Sequence, residues 1–295
     1  MRNIFTTLIC SLTLLFTTAA SAEKISVLTY NTWGVGLKVW DTWRYAAAMK
    51  AIEELNPDIV ILEEVFTAKG RHAFQSPLYP YVADGPGWFP RLISSGVRIL
   101  SKFPIEQSTT IAYSKCARSD CLSHKGAALV TVTLPSGNKL NVVGTHLNSE
   151  GGDDLRVAQL SELKTFIDEN EDPTLPMLVA GDFNFGPGTG SYQFVRNEMK
   201  LGDSWLENHP AVQPIVDIDD MSQAIRGILE SLTYDASKNH YAHDYCVKMN
   251  DPQIEDRYDY FYHNGGITPI QSKLVFNTED TILSDHFGLF ADFEL

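Results

Sequence analysis

Basic residues are in short supply. Lys and Arg number 23 against 37 Asp and Glu in 295 residues, a formal charge of −14. A surface this acidic repels nucleic acid and anionic membranes, whose binding draws on clustered cations, so no nucleic-acid partner is expected. Cysteine is scarce as well: there are four, with no Cys-x-x-Cys, which excludes a thiolate zinc site and a disulfide-dense scaffold. Beyond the first twenty residues no run is long and apolar enough to span a bilayer. Repeats, low-complexity tracts and Pro/Ser-rich linkers are also missing, so residues 23–295 are expected to form one domain, with 44% apolar content to fill its core.

Residues 1–22 carry Arg2, an apolar stretch over 4–16 broken by Thr and Ser, and the close Ala20-Ser21-Ala22. That order of charged, apolar and small-residue regions is the one a secretory signal peptide needs, and the stretch is too short and polar for an anchor. Export to a secreted or periplasmic location is expected, as a monomer. An oxidising compartment permits disulfides. Cys10 leaves with the leader, Cys116 and Cys121 share a polar loop and form the expected pair, and Cys246 is expected to be buried or free.

Runs rich in β-branched and apolar residues predict strands at 24–30, 58–63, 96–101, 126–134, 139–145, 176–181, 258–263 and 286–294. Helices are predicted at 41–55, capped by Asp41 or Thr42, and at 153–169 and 189–199. The turn Pro135-Ser136-Gly137-Asn138 joins two of the strands as a hairpin. Locally paired strands with few helices between them predict an α+β sandwich of sheets. Residues 203–257 are expected to be loops over one end of it.

Polar residues recur where the apolar strands end: Asn31, Glu63, Glu64, His146, Asp182, Asn184, Asp259, Asp285 and His286. Strand ends converge on one rim of a sandwich, so residues about 250 apart in the chain meet there. Carboxylates, carboxamides and two histidines without a thiolate suit a hard oxygen-binding cation such as Mg²⁺, with Mn²⁺ or Co²⁺ as substitutes, and imply phosphoester hydrolysis. Adjacent Glu63 and Glu64 are expected on opposite faces of a strand, so that only one of them is a ligand. His72, His124, His209, His240, His243 and His263 are expected on surfaces and loops.

Taken in order, Thr29-Tyr30-Asn31-Thr32-Trp33, Leu62-Glu63-Glu64-Val65-Phe66, Ser101-Lys102-Phe103-Pro104-Ile105, Lys125-Gly126, Gly144-Thr145-His146-Leu147, Gly181-Asp182-Phe183-Asn184, Tyr258-Asp259-Tyr260 and Ser284-Asp285-His286 resemble the motifs of the endonuclease/exonuclease/phosphatase superfamily and, within it, the neutral sphingomyelinases. The resemblance implies a DNase I-like four-layer α/β/β/α sandwich of two mainly antiparallel sheets. It also implies a Mg²⁺-dependent phosphodiesterase that splits sphingomyelin, or a related choline phospholipid, at a membrane surface by peripheral contact. By the same resemblance Glu64 is the principal metal ligand, with Asn31 and Asp285 beside it and Asp182 completing the electrostatic site. His286 is the general base, oriented by Asp259, while His146 and Asn184 hold phosphoryl oxygens. Asp120 and Lys125 match a pair that switches the loop between idle and competent states, with Lys125 reaching the substrate phosphate. The alternatives are a phosphoinositide or other phosphomonoester phosphatase, kept open by Lys102, Lys125 and Arg156, and a nuclease of the same fold. The chain departs from the secreted bacterial sphingomyelinases over 267–283, which is short and holds a single aromatic, Phe276, in place of a long membrane-inserting hairpin. Trp88 and Phe89, or Val65 and Phe66, are the substitutes for lipid contact.

Overall fold

The computed structural model describes residues 22–34, 42–209, 231–249 and 255–295. The expected signal peptide, apart from Ala22, and the Asp41 cap lie outside them. In chain order the strands are β1 (Lys24–Asn31), β2 (Ile59–Glu63), β3 (Tyr81–Asp84), β4 (Arg98–Ser101), β5 (Ile105–Ala112), β6 (Gly126–Thr133), β7 (Lys139–His146), β8 (Met177–Asp182), β9 (Gly202–Asp203), β10 (Tyr234–Asp235), β11 (Glu255–Asp256), β12 (Asp259–His263), β13 (Thr268–Val275) and β14 (Gly288–Glu294). The helices are α1 (Thr42–Leu55), α2 (Ala68–Ala73), α3 (Asp153–Asn170), α4 (Gly190–Asn197), α5 (Ser204–Asn208) and α6 (His240–Met249).

Two six-stranded sheets face each other, ordered β13-β14-β1-β2-β4-β3 and β5-β6-β7-β8-β12-β9. Pairing is antiparallel except between β1 and β2 and between β7 and β8. Period-two alternation builds the layers. Ile25, Val27, Ile59, Ile61 and Ile99 of one sheet meet Ala128, Val130, Val142, Leu178 and Phe261 of the other in the central core. The alternate residues Leu28, Tyr30, Val60 and Leu62 turn outward onto Tyr45, Met49 and Ile52 of α1. On the far side Leu129, Val143, Val179 and Tyr260 turn outward onto Leu160, Leu163 and Ile167 of α3 and Val195 of α4. Both faces of each central strand are thus covered, which explains why these strands read as continuous apolar runs.

The expected four-layer sandwich is the observed one. Six strands escaped the sequence pattern: β9, β10 and β11, of two residues each, and β3, β5 and β13, which lack a continuous apolar run for a physical reason. Edge strands β5, with the sequence IEQSTTIA, and β13, with TPIQSKLV, expose alternate residues to water, and β3 is short and mostly exposed. The region 203–257, expected as loops, contains α5, the β10–β11 pair and α6 among its described residues. Phe276 packs edge-on against Tyr30, 5.2 Å between ring centres, and so belongs to the core under α1 and not to an inserting tip. His124 and His263, expected at the surface, are buried: the first pairs with the Gly87 carbonyl, the second with Glu207.

Candidate active site

Register puts the chemistry in one place. β7, β8 and β12 are adjacent, and their pairing sets His146 beside Asp182 and Asp182 beside Asp259 at one end of the second sheet. At the same end of the first sheet β1 finishes in Asn31, paired with Glu63 of β2, while Asp285 and His286 lead into β14. A cavity of about 900 Å³ opens on this rim, and Asn31, Glu64, Lys125, His146, Asp182, Asn184, Asp285 and His286 all line it. Asp259 stands behind His286 and Glu63 lies beneath the site, so the polar residues that end the strands converge here.

Loop geometry is held by a few buried groups. The Arg44 guanidinium, wholly buried, donates to the carbonyls of Thr32 and Leu283 at 2.6 Å and of Trp33 at 2.7 Å, tying the loop after β1 to the loop before β14. Ser284 Oγ donates to the Asn31 carbonyl at 2.6 Å and closes the same gap. Thr233 Oγ1 accepts from the backbone N–H groups of Tyr258 and Asp259 at 3.0 Å each, fixing the start of β12. Arg44 and Thr233 fall in no motif of the sequence, whereas Ser284 heads Ser284-Asp285-His286. A site at Gly34 also requires glycine: the Glu64 carbonyl oxygen lies 1.9 Å from where a Cβ would stand.

Glu64 corrects one expectation. It is not the next strand residue after Glu63 but leaves the strand in the left-handed region, φ 62°, a conformation costly for a side chain with a Cβ and concentrated at functional sites. Strand alternation therefore does not separate the two carboxylates. Glu63 is buried beneath the site, where one oxygen accepts from Thr29 Oγ1 at 2.9 Å and the other has no partner. Burial, with Asp259 nearby, pushes its pKa well above the usual carboxylate range. Glu64 Oε2 is likewise buried without a hydrogen-bond partner, but Glu64 is one of the residues lining the cavity.

His286 Nδ1 lies 2.8 Å from Asp259 Oδ2, and its Nε2 lies 3.8 Å from Asp182 Oδ2. Burial alone would lower the imidazole pKa, yet Asp259, Asp182 and Asp285 outweigh it and raise the value well above normal. His146 goes the other way. Burial, then the Lys125 ammonium 2.6 Å from its Nε2, hold it well below the usual histidine range. Asp182 accepts from Asn31 Nδ2 and from the Asn184 backbone N–H, both at 2.9 Å. Burial pushes it up to about 6, and the same cause pushes Asp285 up to about 7.

These groups fit a divalent cation. Glu64, Asn31 and Asp285, all lining the cavity, offer hard oxygens, and Glu64 Oε2 is without a hydrogen-bond partner. Asp182, Asp259 and His286 also bring one ligand atom each within 4.8 Å of one another. The first set leaves the His286 imidazole free to act as a base, whereas a cation in the second would take up His286 Nε2 or displace the Nδ1–Asp259 bond.

Carboxylates kept partly protonated have a measurable consequence. From about pH 4 to about 6 for Asp182, and to about 7 for Asp285, the folded protein holds protons that the unfolded chain has released, so stability falls as pH rises through that window. His286, with its raised pKa, adds to the fall above pH 6.5, whereas His146 alone opposes it. For protein stripped of divalent cations we expect Tm to drop by roughly 5 °C between pH 5 and pH 7.5, and added Mg²⁺ to flatten the profile by binding only the folded state. A Tm that rises over this range, read by calorimetry, contradicts the electrostatics described here.

The loop over one side of the cavity is closed by a Cys116–Cys121 disulfide, as expected, and Cys246 is a buried free thiol. Asp120, inside that loop, accepts from Ser149 N–H and Oγ–H at 2.8 and 2.9 Å and lies 3.7 Å from Lys125 Nζ. Lys125 is therefore held between Asp120 and His146 at the cavity floor. Lys102, kept in view as a phosphate-binding cation, is elsewhere: it pairs with Asp58 and the Asn56 carbonyl away from the cavity. Arg156 does line the cavity.

A profile of the Endonuclease/Exonuclease/phosphatase family matches residues 28–286. Among curated proteins the chain is similar to an inositol phosphosphingolipids phospholipase C of Schizosaccharomyces pombe, 23% identical over 291 residues that cover 91% of this chain and 68% of the relative. It is also similar to a sphingomyelinase C of Leptospira interrogans, 29% identical over 198 residues that cover 57% of this chain and 35% of the relative. The chain thus spans about two thirds of the first relative and about a third of the second. A solved structure of beta toxin from Staphylococcus aureus, a double mutant with bound magnesium ions, matches at a TM-score of 0.69 with 17% identity, covering 91% of this chain and 99% of that one. At such identity the likeness is one of fold.

Proposed function

This chain belongs to the endonuclease/exonuclease/phosphatase family and is a phosphodiesterase, and from that premise we propose that it is exported and cleaves sphingomyelin or a closely related phosphosphingolipid, with Mg²⁺, to ceramide and a phosphorylated head group. The observation that carries the reading is the cavity. Its floor gathers Glu64, Asp182, Asp285 and His286, whereas its walls include Trp33, Phe66, Trp88, Leu92 and Leu122. A polar floor under apolar walls suits a diester whose substituent is hydrocarbon.

In this reading His286 Nε2 takes the proton from the attacking water, with Nδ1–H held on Asp259 so that the ring presents one basic nitrogen. The water oxygen bonds to phosphorus as the bond to the ceramide oxygen breaks; that oxygen takes a proton from solvent, and His286 returns to solvent the one it removed. Lys125, donating to His146, stands where negative charge grows on the phosphoryl oxygens, and Asn184 flanks it. A divalent cation held by Glu64, Asn31 and Asp285 would supply positive charge against the phosphoryl group, an effect typically worth several kcal/mol.

Arg156 favours a second reading. Its Nε is buried without a hydrogen-bond partner while its Nη1 holds the Ser149 carbonyl at 3.2 Å, so an anionic head group, as in a phosphoinositide, would find a cation there. One panel decides: sphingomyelin, an inositol phosphosphingolipid, a phosphoinositide monoester and plasmid DNA, each assayed with Mg²⁺ and with EDTA. Choline or inositol phosphate released from sphingolipid only when Mg²⁺ is present is the expected result. Phosphate release from the monoester, or plasmid nicking, without sphingolipid cleavage overturns the proposal.

A further inference from the structure

Four large apolar side chains stand in water beside the cavity mouth: Trp88 at 61% exposure, Phe89 at 78%, Leu92 at 77% and Leu122 at 48%. They come from two loops, 85–94 and 116–124, which are zipped together. Ile93 N–H donates to the Leu122 carbonyl at 3.0 Å and His124 N–H to the Ile93 carbonyl at 3.1 Å. Arg91 reaches across to the Ser123 carbonyl at 2.7 Å, and His124 Nδ1 meets the Gly87 carbonyl. The Cys116–Cys121 disulfide braces the second loop. Trp88 and Phe89 stack edge to face, 6.1 Å between centres, and Trp88, Leu92 and Leu122 continue inward as cavity wall. Val65, by contrast, is buried and plays no part in this face.

We propose that this loop pair is a preformed seat for a zwitterionic phospholipid surface, with Trp88, Phe89, Leu92 and Leu122 entering the interfacial layer so that the cavity opens directly onto the lipid. The proposal rests on the lipid-diester reading above. Two observations select the occupant. The apolar rim runs without interruption into the wall of the cavity that ends at His286, so whatever covers the rim also feeds the site. A net charge of −14 gives no attraction to an anionic surface, which leaves apolar burial and aromatic side chains at the headgroup level to hold the protein there.

The test is sedimentation with vesicles of phosphatidylcholine and sphingomyelin, in EDTA so that binding is read apart from turnover. Wild-type protein is expected to bind, and to keep binding in 0.5 M NaCl. Phe89→Ser is expected to weaken binding about tenfold, and Trp88→Ser/Phe89→Ser further, since each removes a side chain whose burial drives the contact. Leu92→Ser probes the same face should the aromatic variants fold poorly. Phe89, which does not line the cavity, should leave hydrolysis of dissolved p-nitrophenylphosphorylcholine within about twofold of wild type when replaced by Ser. Vesicle binding that is absent in wild type, or unchanged in all three variants, overturns the lipid seat even if the dissolved diester is cleaved. Binding that depends on the rim without cleavage of any diester overturns the function proposed above and leaves the seat standing.

Discussion

His286→Ala is expected to lower kcat by about 10²–10⁴-fold, the range a positioned general base contributes, while leaving Mg²⁺ affinity nearly unchanged. The expectation follows from what each ring nitrogen touches. Nδ1 is committed to Asp259 at 2.8 Å, and Nε2 is left for the cavity. Asp259→Asn should keep the packing, because the residue is buried and its backbone N–H remains on Thr233 Oγ1, but it removes the anion that raises the His286 pKa. Two changes are therefore expected together: a lower kcat from the misoriented ring, and an acid limb of the kcat profile displaced to lower pH. A purely structural Asp259 would lower Tm without moving that limb. Full activity of Asp259→Asn across pH 5–9 would end the pairing as a functional unit.

Glu64→Gln is expected to cut turnover by roughly 10³-fold at fixed Mg²⁺, the equivalent of several kcal/mol of lost cation binding and charge stabilisation. Gln keeps the shape that the left-handed backbone already accommodates, so Tm should hold. Isothermal titration should show the loss as weakened Mg²⁺ binding. The neighbouring Glu63→Gln is expected to stay within about threefold of wild type. Burial favours the uncharged form of Glu63 and one of its oxygens only accepts from Thr29 Oγ1, so an amide of the same size keeps that bond beneath the cavity. Equal losses in the two variants would show that the buried carboxyl takes part after all.

What the sequence made legible was governed by burial. Strands covered on both faces, such as β2 and β8, read as unbroken apolar runs, and the polar residue ending each one stood out against them: Glu63 and Glu64 after IVIL, Asp182 after MLVAG. That strand ends meet on one rim was also legible, but the adjacency of the strands carrying His146, Asp182 and Asp259 emerged only with the register of the sheet. Polar edge strands such as β13 gave no such contrast. Nor did α6, where His240-Tyr241-Ala242-His243-Asp244-Tyr245-Cys246 has no clean apolar stripe. The local geometry of Glu64 was hidden for a different reason. A left-handed backbone at a glutamate is imposed by the surrounding tertiary packing, with Val65 N–H held on the Gly96 carbonyl, and no local propensity announces it. Arg44 was invisible likewise, since an arginine on a helix reads as a solvated charge until three loop carbonyls are seen to surround it.

The pairing of β1 with β14 also dictates when in the life of the chain the site comes into being. Lys24 lies opposite Glu294 and Thr29 opposite Leu289, so the strand carrying Asn31 finds its antiparallel neighbour only once residues 260 or more positions further along (289 − 29 = 260) have been made. Arg44 can clasp the Leu283 carbonyl no sooner. Contacts of such separation are slow to form and close late. A growing chain therefore carries Asn31, Glu64, His146 and Asp182 well before His286 can stand beside them, and the cavity rim is completed only when β14 docks on β1.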